Sequence, residues 1–453
     1  MKDLVIFLPG ISGSTLIRDG RTLWGLSPSA LFGALFSGSL DDLAIKAESA
    51  EEDLNDGITV GDLVRDVHLV PGLWKIDGYH GFIEALGRKL YIKPGRNVRT
   101  FPYDWRRDNR VSAGRLKRVA LTALREWRES SGASDAKLIL VAHSMGGLVA
   151  RYFMEVLGGW RDTRQLITLG TPFRGSLNAA GFLVNGFARG IGPLRIDATA
   201  TLRSFASVHQ LLPTYACVDR GDGELVRVAD ATLPGIDPEK VADASAFHQE
   251  IEDAVSANAS DPDYRPSRIS PVLSSMQSTF QSLLLRDGKA TLLGTREGVD
   301  EGGDGTVPMV SALAQGMQTH QGFFVEGVHA SLQTMEPVTE FVGGQLRGAQ
   351  VDLDKLRKAT AASGVVRFVL EDAYLAGPIP LRAEVRNAVE QRLNATATEV
   401  ETGVQVTTTL WPKQGIFEGE LPLAPGTWRV TASGQRSKPA TDVTLAMASE
   451  AAA

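Results

Sequence analysis

A strand, a tight turn and a helix follow one another in the first third of the chain, and this succession restricts the fold more than any other feature. Residues 137–142 form an almost wholly apolar run, which is typical of a strand covered on both faces of a parallel sheet. The small and polar residues 143–147 follow, and residues 148–156 then repeat apolar side chains at helical spacing. Apolar runs at 4–8 and 165–169 complete an alternation of strands and helices. The pattern predicts a mostly parallel α/β sheet.

The turn between that strand and helix has the composition of a nucleophile elbow. Small residues flank Ser144 in the sequence Ala-His-Ser-Met-Gly-Gly, so a sharp turn would leave its hydroxyl exposed above the sheet. The backbone N–H of Met145 would then lie beside the carbonyl oxygen under attack. A capping serine in a Gly-rich turn is the alternative interpretation. We expect His143 to pack beneath the elbow, because adjacent residues in such a turn point to different faces.

A serine hydroxyl needs a base, and the base needs an orienting carboxylate. In α/β-hydrolases these partners follow the serine in the order acid, then histidine. Asp304 lies in the glycine loop Gly-Gly-Asp-Gly-Thr and is the predicted acid, although a turn aspartate would look the same. Two histidines follow it. His329 comes after a short apolar strand, at the carboxyl edge of the sheet, whereas His320 precedes that strand, so we predict His329 as the base.

A second oxyanion donor is expected in the loop after an early strand. The loop 8–14 follows the apolar run at the N-terminus, and the backbone N–H of Ile11 is the candidate. It would act together with the N–H of Met145. A purely structural turn is the alternative, because backbone donors leave no trace in the side chains.

Residues 24–56 are predicted to form an apolar flap. Trp24, Phe32 and Phe36 lie there among small residues and are candidates for contact with substrate or membrane. A small helix that faces the core is the competing interpretation.

Residues 173–285 interrupt the α/β alternation and are predicted to form a lid or cap, with Phe173 and Phe182 as candidate substrate contacts. The hydrolase-like domain is predicted to span 1–350 and a C-terminal β-sandwich 351–453, after a short helical segment at 352–360. The predicted strands of this sandwich are 365–371, 380–385, 403–410, 427–432 and 443–447.

Composition excludes several classes of function. Lys+Arg is 47 and Asp+Glu is 53, so the formal net charge is −6 and there is no general basic field for nucleic acid. The single cysteine, Cys217, excludes an intrachain disulfide and a cysteine metal cluster, and we expect no metal and no cofactor. No apolar run approaches the ~18 residues of a membrane span, and the N-terminal run is too short for a signal peptide. We therefore expect a cytoplasmic protein and leave specialised export open.

The motifs in this order resemble the lecithin:cholesterol acyltransferase family, which includes lysosomal phospholipases and bacterial relatives. The chain is interpreted as a bacterial-type member. The resemblance implies an α/β-hydrolase core with flap and lid, a catalytic triad of Ser144, Asp304 and His329, and oxyanion donors at Ile11 and Met145. The C-terminal sandwich is not part of the family core. The motifs that carry the resemblance are Leu-Pro-Gly (8–10), Leu-Trp (23–24), Pro-Tyr-Asp-Trp-Arg (102–106), the elbow (142–146), Gly-Thr-Pro-Phe-Arg-Gly (170–175), Gln-Leu-Leu-Pro (210–213), Gly-Asp-Gly-Thr-Val (303–307) and His329 with Leu332.

The resemblance implies a serine lipid esterase or acyltransferase that forms an acyl-serine intermediate on glycerophospholipids. Phospholipase A or lysophospholipase activity is the first expectation, with water or a lipid alcohol as acceptor and peripheral contact with a membrane. A soluble carboxylesterase, thioesterase or polyester depolymerase with the same triad is the first alternative. The second is a non-catalytic protein that recruits a protein partner through its C-terminal sandwich.

Overall fold

The computed structural model describes residues 2–25, 41–64, 67–70, 74–90, 97–189, 196–265, 268–347 and 364–448. The strands before the C-terminal region are β1 Leu4–Leu8, β2 Ser14–Arg18, β3 Arg21–Trp24, β4 Ile58–Leu63, β5 Val67–Val70, β6 Trp74–Asp77, β7 Val98–Thr100, β8 Leu138–His143, β9 Thr163–Leu169, β10 Ala188–Arg189, β11 Ile196–Asp197, β12 Val218–Asp219, β13 Leu225–Val226, β14 Ile269–Ser274, β15 Ser282–Arg286, β16 Lys289–Leu293 and β17 Phe323–Val325. The helices are α1 His80–Leu90, α2 Asn109–Ser131, α3 Gly146–Glu155, α4 Leu177–Asn185, α5 Thr199–Ser204, α6 Ala206–His209, α7 Pro238–Asn258, α8 Met309–Ala312 and α9 Glu336–Arg347.

Six parallel strands form the central sheet in the order β17-β14-β9-β8-β1-β7. Every residue of β1 and β8 is buried, as expected for strands with helices on both faces. The two strands pair in register from Leu4 with Leu138 to Leu8 with Ala142. The predicted parallel α/β sheet is confirmed, and its carboxyl edge carries the elbow.

Helix α2 begins and ends with standard caps. The carboxylate of Asp108 accepts a hydrogen bond from the N–H of Arg110, and Gly132 ends the helix in the left-handed conformation that glycine favours. The elbow helix α3 differs from the predicted one-sided helix, because all ten of its residues are buried. Its outer face is covered by α7, where Phe247 stacks on Tyr152 and Glu252 pairs with Arg151.

The predicted insertion at 173–285 is too long. It contains β14, which pairs in parallel with β9 and β17 inside the central sheet. Pro271 lies in the middle of this strand, and proline normally argues against a central strand because it cannot donate to the ladder. The interruption of the sheet therefore ends near residue 268. Strands β15 and β16 then leave the central sheet and join β12 and β13 in a separate four-stranded sheet.

The region predicted as a flap begins with a three-stranded sheet in the order β3-β2-β4. Phe32 and Phe36 lie outside the described residues. Trp24 is 0% exposed and its ring packs against Trp105, so the prediction of a lipid-contacting Trp24 is wrong. Its place at the inward-facing end of β3 makes it a core residue. None of the described helices combines the length and apolarity needed to cross a membrane.

The C-terminal region contains the strands β18 Gly364–Val369, β19 Ala373–Leu375, β20 Gly377–Arg386, β21 Leu393–Glu399, β22 Gln405–Lys413, β23 Ile416–Leu423, β24 Gly426–Ser433, β25 Ser437–Lys438 and β26 Ala440–Met447. They form a nine-stranded sheet around their own core, in the order β19-β26-β24-β21-β22-β23-β20-β18-β25. Strands β19, β21, β23 and β25 were missed in the sequence. Of these, β19 and β25 are only two or three residues long, β21 alternates alanine with polar residues, and β23 contains Gly419 and Pro422. The predicted helical segment at 352–360 lies outside the described residues.

Candidate active site

Ser144 lies at a sharp turn between β8 and α3. Its φ of +51° is in the left-handed region, which a non-glycine residue adopts at an energetic cost. The surroundings fix this conformation: its N–H donates to the carbonyl of Leu169 at 2.9 Å, and its carbonyl accepts from the N–H of Gly147 and the hydroxyl of Thr171. The hydroxyl therefore points away from the sheet at a fixed position.

The two glycines after the elbow are required by close packing. A Cβ on Gly146 would lie 2.4 Å from the carbonyl oxygen of Pro9, and one on Gly147 would lie 2.0 Å from the Thr171 hydroxyl. A side chain at position 146 would displace the backbone at Pro9, and one at position 147 would displace the Thr171 side chain. The sequence Ser-Met-Gly-Gly thus lets α3 start directly against the loop that follows β1.

Three predicted residues meet at the carboxyl edge of the sheet. The Oγ of Ser144 is 2.9 Å from Nε2 of His329, and Nδ1 of His329 is 2.7 Å from Oδ2 of Asp304. All three are buried, with Ser144 and His329 exposed by 7% and 8%. Since the carboxylate accepts the Nδ1 proton, Nε2 is left free to accept the proton of the serine hydroxyl.

The carboxylate of Asp304 is held by its own loop. Its Oδ1 accepts from the N–H groups of Thr306 at 2.9 Å and Val307 at 2.7 Å, which leaves Oδ2 for the imidazole. The N–H of His329 also donates to the Asp304 carbonyl at 2.8 Å. The acid and base loops are therefore bound through backbone as well as side chain.

Gly170 closes the floor of the site. Its φ is +59°, and a Cβ there would lie 2.8 Å from Oδ2 of Asp304 and 3.0 Å from Nδ1 of His329. A side chain at this position would press on the Asp304–His329 hydrogen bond. This is a physical reason for glycine at the start of the Gly-Thr-Pro sequence.

The loop after β1 lies against the elbow. A Cβ on Gly10 would lie 2.9 Å from Cβ of Ser144, so the next residue, Ile11, begins beside the serine. Among the hydrogen bonds between described residues, none has the N–H of Ile11 or of Met145 as its donor. Both predicted oxyanion donors are thus available to a ligand.

Three aromatic side chains donate hydrogen bonds to backbone carbonyls of the loop after β1. Two of them, Tyr103 and Trp105, come from the Pro-Tyr-Asp-Trp-Arg sequence, which gives that motif a structural role. The bonds run from Trp24 Nε1 to the Ser12 carbonyl (2.8 Å), from the Tyr103 hydroxyl to the Pro9 carbonyl (3.0 Å) and from Trp105 Nε1 to the Ser14 carbonyl (3.0 Å).

A buried chain of hydrogen bonds joins the loop of Ile11 to the loop of the base. The N–H of Gly10 donates to the Tyr79 hydroxyl at 2.9 Å, which lies 2.9 Å from Nδ1 of His143. The other nitrogen of His143 lies 3.1 Å from the carbonyl of His329, which can only accept, so Nε2 carries the proton and Nδ1 accepts from Tyr79. Burial, with the nearby imidazole of His329, lowers the pKa of His143 to about 3 and keeps it neutral. His143 packs under the elbow, whereas Tyr79 was not predicted because no local motif surrounds it.

Residues 73–260 match the family model described as lecithin:cholesterol acyltransferase. Over this stretch the chain is similar to that family. The match includes Ser144 and ends before Asp304 and His329, which the fold brings to it. The resemblance inferred from the motifs is confirmed, and the bacterial type stays a prediction.

Mammalian relatives of this stretch are named lysosomal phospholipase A and acyltransferase. The human protein is 34% identical over 142 residues, which is 30% of this chain and 32% of that protein. The mouse protein is 29% identical over 207 residues, or 42% of this chain and 48% of that protein. The chain therefore spans about a third to a half of the length of these relatives.

A solved structure supports the fold. The crystal structure of the Tle4-Tli4 complex contains a chain that superposes with a TM-score of 0.51 at 16% identity, covering 76% of this chain and 98% of that one. At this identity the likeness concerns the fold alone. It agrees with the α/β-hydrolase class expected for the family domain.

The aromatic residues predicted to contact substrate are placed around the lid. Phe173 is buried, and the guanidinium of Arg151 lies 5.5 Å from its ring centroid. Phe182 is partly buried and packs edge-on against Phe187. Trp24 instead donates a hydrogen bond to the carbonyl of Ser12 in the loop after β1. No group of three His, Cys, Asp or Glu side chains in the described ranges is arranged to hold a metal ion.

Proposed function

We propose that the chain is a serine esterase and acyltransferase that cleaves acyl esters of glycerophospholipids through an acyl-serine intermediate. The observation that carries the proposal is the continuous hydrogen-bonded series from Ser144 through His329 to Asp304. The family match and the names of the relatives, which are called phospholipase A and acyltransferase, support glycerophospholipids as the substrate class.

In the first half-reaction, Oγ of Ser144 attacks the ester carbonyl carbon while its proton moves to Nε2 of His329. Asp304 keeps the imidazole in the required tautomer and stabilises the positive charge that forms. The carbonyl oxygen becomes an oxyanion facing the N–H groups of Ile11 and Met145. When the tetrahedral intermediate collapses, the ester C–O bond breaks and Nε2 returns the proton to the leaving lysolipid alcohol.

In the second half-reaction, water or a lipid alcohol attacks the acyl-serine carbonyl. His329 takes the proton of that acceptor and returns it to Oγ of Ser144, which restores the enzyme. Water gives a free fatty acid, whereas an alcohol gives a new ester. The ratio of the two products depends on how far the bound lid excludes water.

The test measures fatty acid released from phospholipid vesicles together with hydrolysis of a short, soluble ester. We expect wild-type protein to act on both and Ser144→Ala on neither. Ser256→Ala is the matched control, because this hydroxyl lies on the surface of α7 and bonds to the carbonyl of Glu252. Adding a long-chain alcohol should divert part of the acyl group into ester.

Each contrary result removes a defined part of the proposal. Cleavage of the soluble ester without release from vesicles would refute the lipid substrate and favour a soluble carboxylesterase. Equal activity in Ser144→Ala and wild type would refute the serine mechanism. Inactivity of all three proteins on every ester would favour a recruitment protein without catalysis.

A further inference from the structure

The C-terminal β-domain contacts the hydrolase part at the segments that carry the acid and the base. Arg367 on β18 is 8% exposed, and its Nε donates to the carbonyl of Met276 at 2.8 Å. Its Nη2 is 3.3 Å from Oδ2 of Asp300, four residues before Asp304. A buried guanidinium is suited to this bridge, because its planar group donates in two directions at once.

The segment that Arg367 binds is hydrogen-bonded to the loops that carry Asp304 and His329. Gln277, the residue after Met276, donates its backbone N–H to the carbonyl of Gly303 at 3.0 Å. Its side-chain amide donates to the carbonyl of Glu326 at 2.9 Å, three residues before His329. A shift at Met276 would therefore be passed to both loops through one residue.

Asp300 ties the same contact to the turn before the acid. Its Oδ1 accepts from the side chain of Gln281 at 2.7 Å and from the N–H of Gly302 at 2.9 Å. A Cβ on Gly302 would lie 1.9 Å from the carbonyl oxygen of Ser275, so the turn is packed tightly on the segment that Arg367 holds. Burial works against ionisation of Asp300, but the bonds from Gly302 and Arg367 outweigh it and hold its pKa below the ordinary value.

A second ion pair connects the β-domain to the base loop. The Nζ of Lys438 on β25 lies 3.4 Å from Oε2 of Glu326, whose side chain is 6% exposed. Burial raises the pKa of Glu326, and the charge of Lys438 opposes that rise. Glu326 thus meets both Lys438 and, through its carbonyl, Gln277.

We propose that the C-terminal β-domain positions the catalytic site and that Arg367 is the positioning residue through which it acts. The inference rests on the proposed function of Ser144, Asp304 and His329. Arg367 touches neither substrate nor the reacting atoms. It fixes the Met276 and Asp300 segments, which set the position of the Asp304 carboxylate relative to the imidazole.

The test compares Arg367→Gln and Arg367→Lys with Arg382→Gln in the full chain, using p-nitrophenyl butyrate. Arg382 is the matched control, because it lies on the neighbouring strand β20 and pairs with Glu418 inside the β-domain. We expect Arg367→Gln to lower kcat about 10–100-fold with KM within about twofold, since small misplacements of catalytic groups have effects of this size. Arg367→Lys should recover part of the loss, and Arg382→Gln should resemble wild type.

If Arg367→Gln does not fold, a substitution of its partner Asp300 provides the same test. Asp300→Asn retains an oxygen for Gly302 and Gln281 but loses the ion pairs of Oδ2 with Arg367 at 3.3 Å and with Arg386 at 3.5 Å, and we expect kcat to fall about fivefold. In a double-mutant cycle the losses from the Asp300 and Arg367 variants should be less than additive, because the Arg367–Asp300 ion pair is lost in both. Wild-type kcat in folded Asp300→Asn or Arg367→Gln would overturn the inference.

A spectroscopic signal separates this inference from the proposed function. The Nδ1 proton of His329, shared with Asp304, should give a low-field proton resonance whether or not an ester is cleaved. We expect this resonance to broaden or shift in Arg367→Gln and to remain in Arg382→Gln. Failure of wild type to cleave any ester would refute the proposed function, whereas an unchanged resonance in Arg367→Gln would refute the positioning role.

Discussion

Tyr79→Phe removes one oxygen atom that joins Gly10, in the loop after β1, to His143 under the elbow. The Tyr79 hydroxyl accepts from the N–H of Gly10 and donates to Nδ1 of His143, both at 2.9 Å. Burial raises the pKa of Tyr79 far above its ordinary value, so the hydroxyl keeps the proton that it donates. The phenylalanine ring fills the same space without either bond.

The magnitude follows from the two groups left without a partner. A buried polar group that loses its hydrogen bond costs about 1–3 kcal/mol, so Tyr79→Phe should lower the free energy of unfolding by about 2–6 kcal/mol. Tyr103→Phe is the matched control, because the Tyr103 hydroxyl is equally buried and donates to one group, the Pro9 carbonyl. That variant should lose about 1–3 kcal/mol.

Activity should fall as well, because Gly10 sets the position of the Ile11 N–H. Removing an oxyanion donor outright costs about 10²–10³ in kcat, and a displaced donor should cost at least about tenfold. Urea denaturation gives the stability, and hydrolysis of a soluble ester gives kcat. The reasoning fails if Tyr79→Phe is no less stable than Tyr103→Phe and retains wild-type kcat.

Three further substitutions test separate parts of the site. Asp304→Asn should lower kcat on a soluble ester about 10⁴-fold, because an amide N–H that donates to Nδ1 of His329 leaves the imidazole proton on Nε2, which then cannot accept the serine proton. A loss of kcat below tenfold would contradict this. Gly170→Ala should lower the free energy of unfolding by at least about 1–2 kcal/mol, which is the cost of the left-handed conformation alone. Urea denaturation curves identical to those of wild type would exclude the predicted clash with Asp304 and His329. Burial lowers the pKa of His248 to about 4 from 6.5, so the unfolded chain takes up a proton that the folded chain does not, and stability falls as the pH falls through this window. His248→Gln keeps an N–H for the Gln210 carbonyl and should reduce the slope of stability against pH by about 1.4 kcal/mol per unit between these values; equal slopes in urea titrations at several pH values would refute this.

The sequence was most informative where function depends on local backbone geometry. Ser144 was predictable because a strand, small residues and a helix follow one another within a few residues. Asp304 and His329 were predictable from the order of elements and from the edge of the sheet at which each loop emerges.

Contacts between distant segments were not predictable in this way. Tyr79 meets Gly10 and His143 across 69 and 64 positions of the chain, with no pattern in the sequence that joins them. Trp24 was assigned to a membrane contact because apolar composition alone does not distinguish a core residue from an exposed one. The bridge from Arg367 to Asp300 was equally hidden, since a single arginine on a strand most often faces solvent.

The boundary of the lid was misjudged for a physical reason. Strand β14 contains Pro271 and follows a long polar stretch, so its local sequence argues against a central strand. Its neighbours β9 and β17 nevertheless bury it, and tertiary packing overrides the local preference.

The central claim is that Ser144 is the nucleophile activated by His329 and Asp304. The most direct measurement is the mass of the protein and of its peptides after reaction with a fluorophosphonate. The account predicts one adduct, on the peptide that contains Ser144, absent in Ser144→Ala and formed far more slowly in His329→Gln. An adduct on a different residue, or ester hydrolysis that survives in Ser144→Ala, would contradict it.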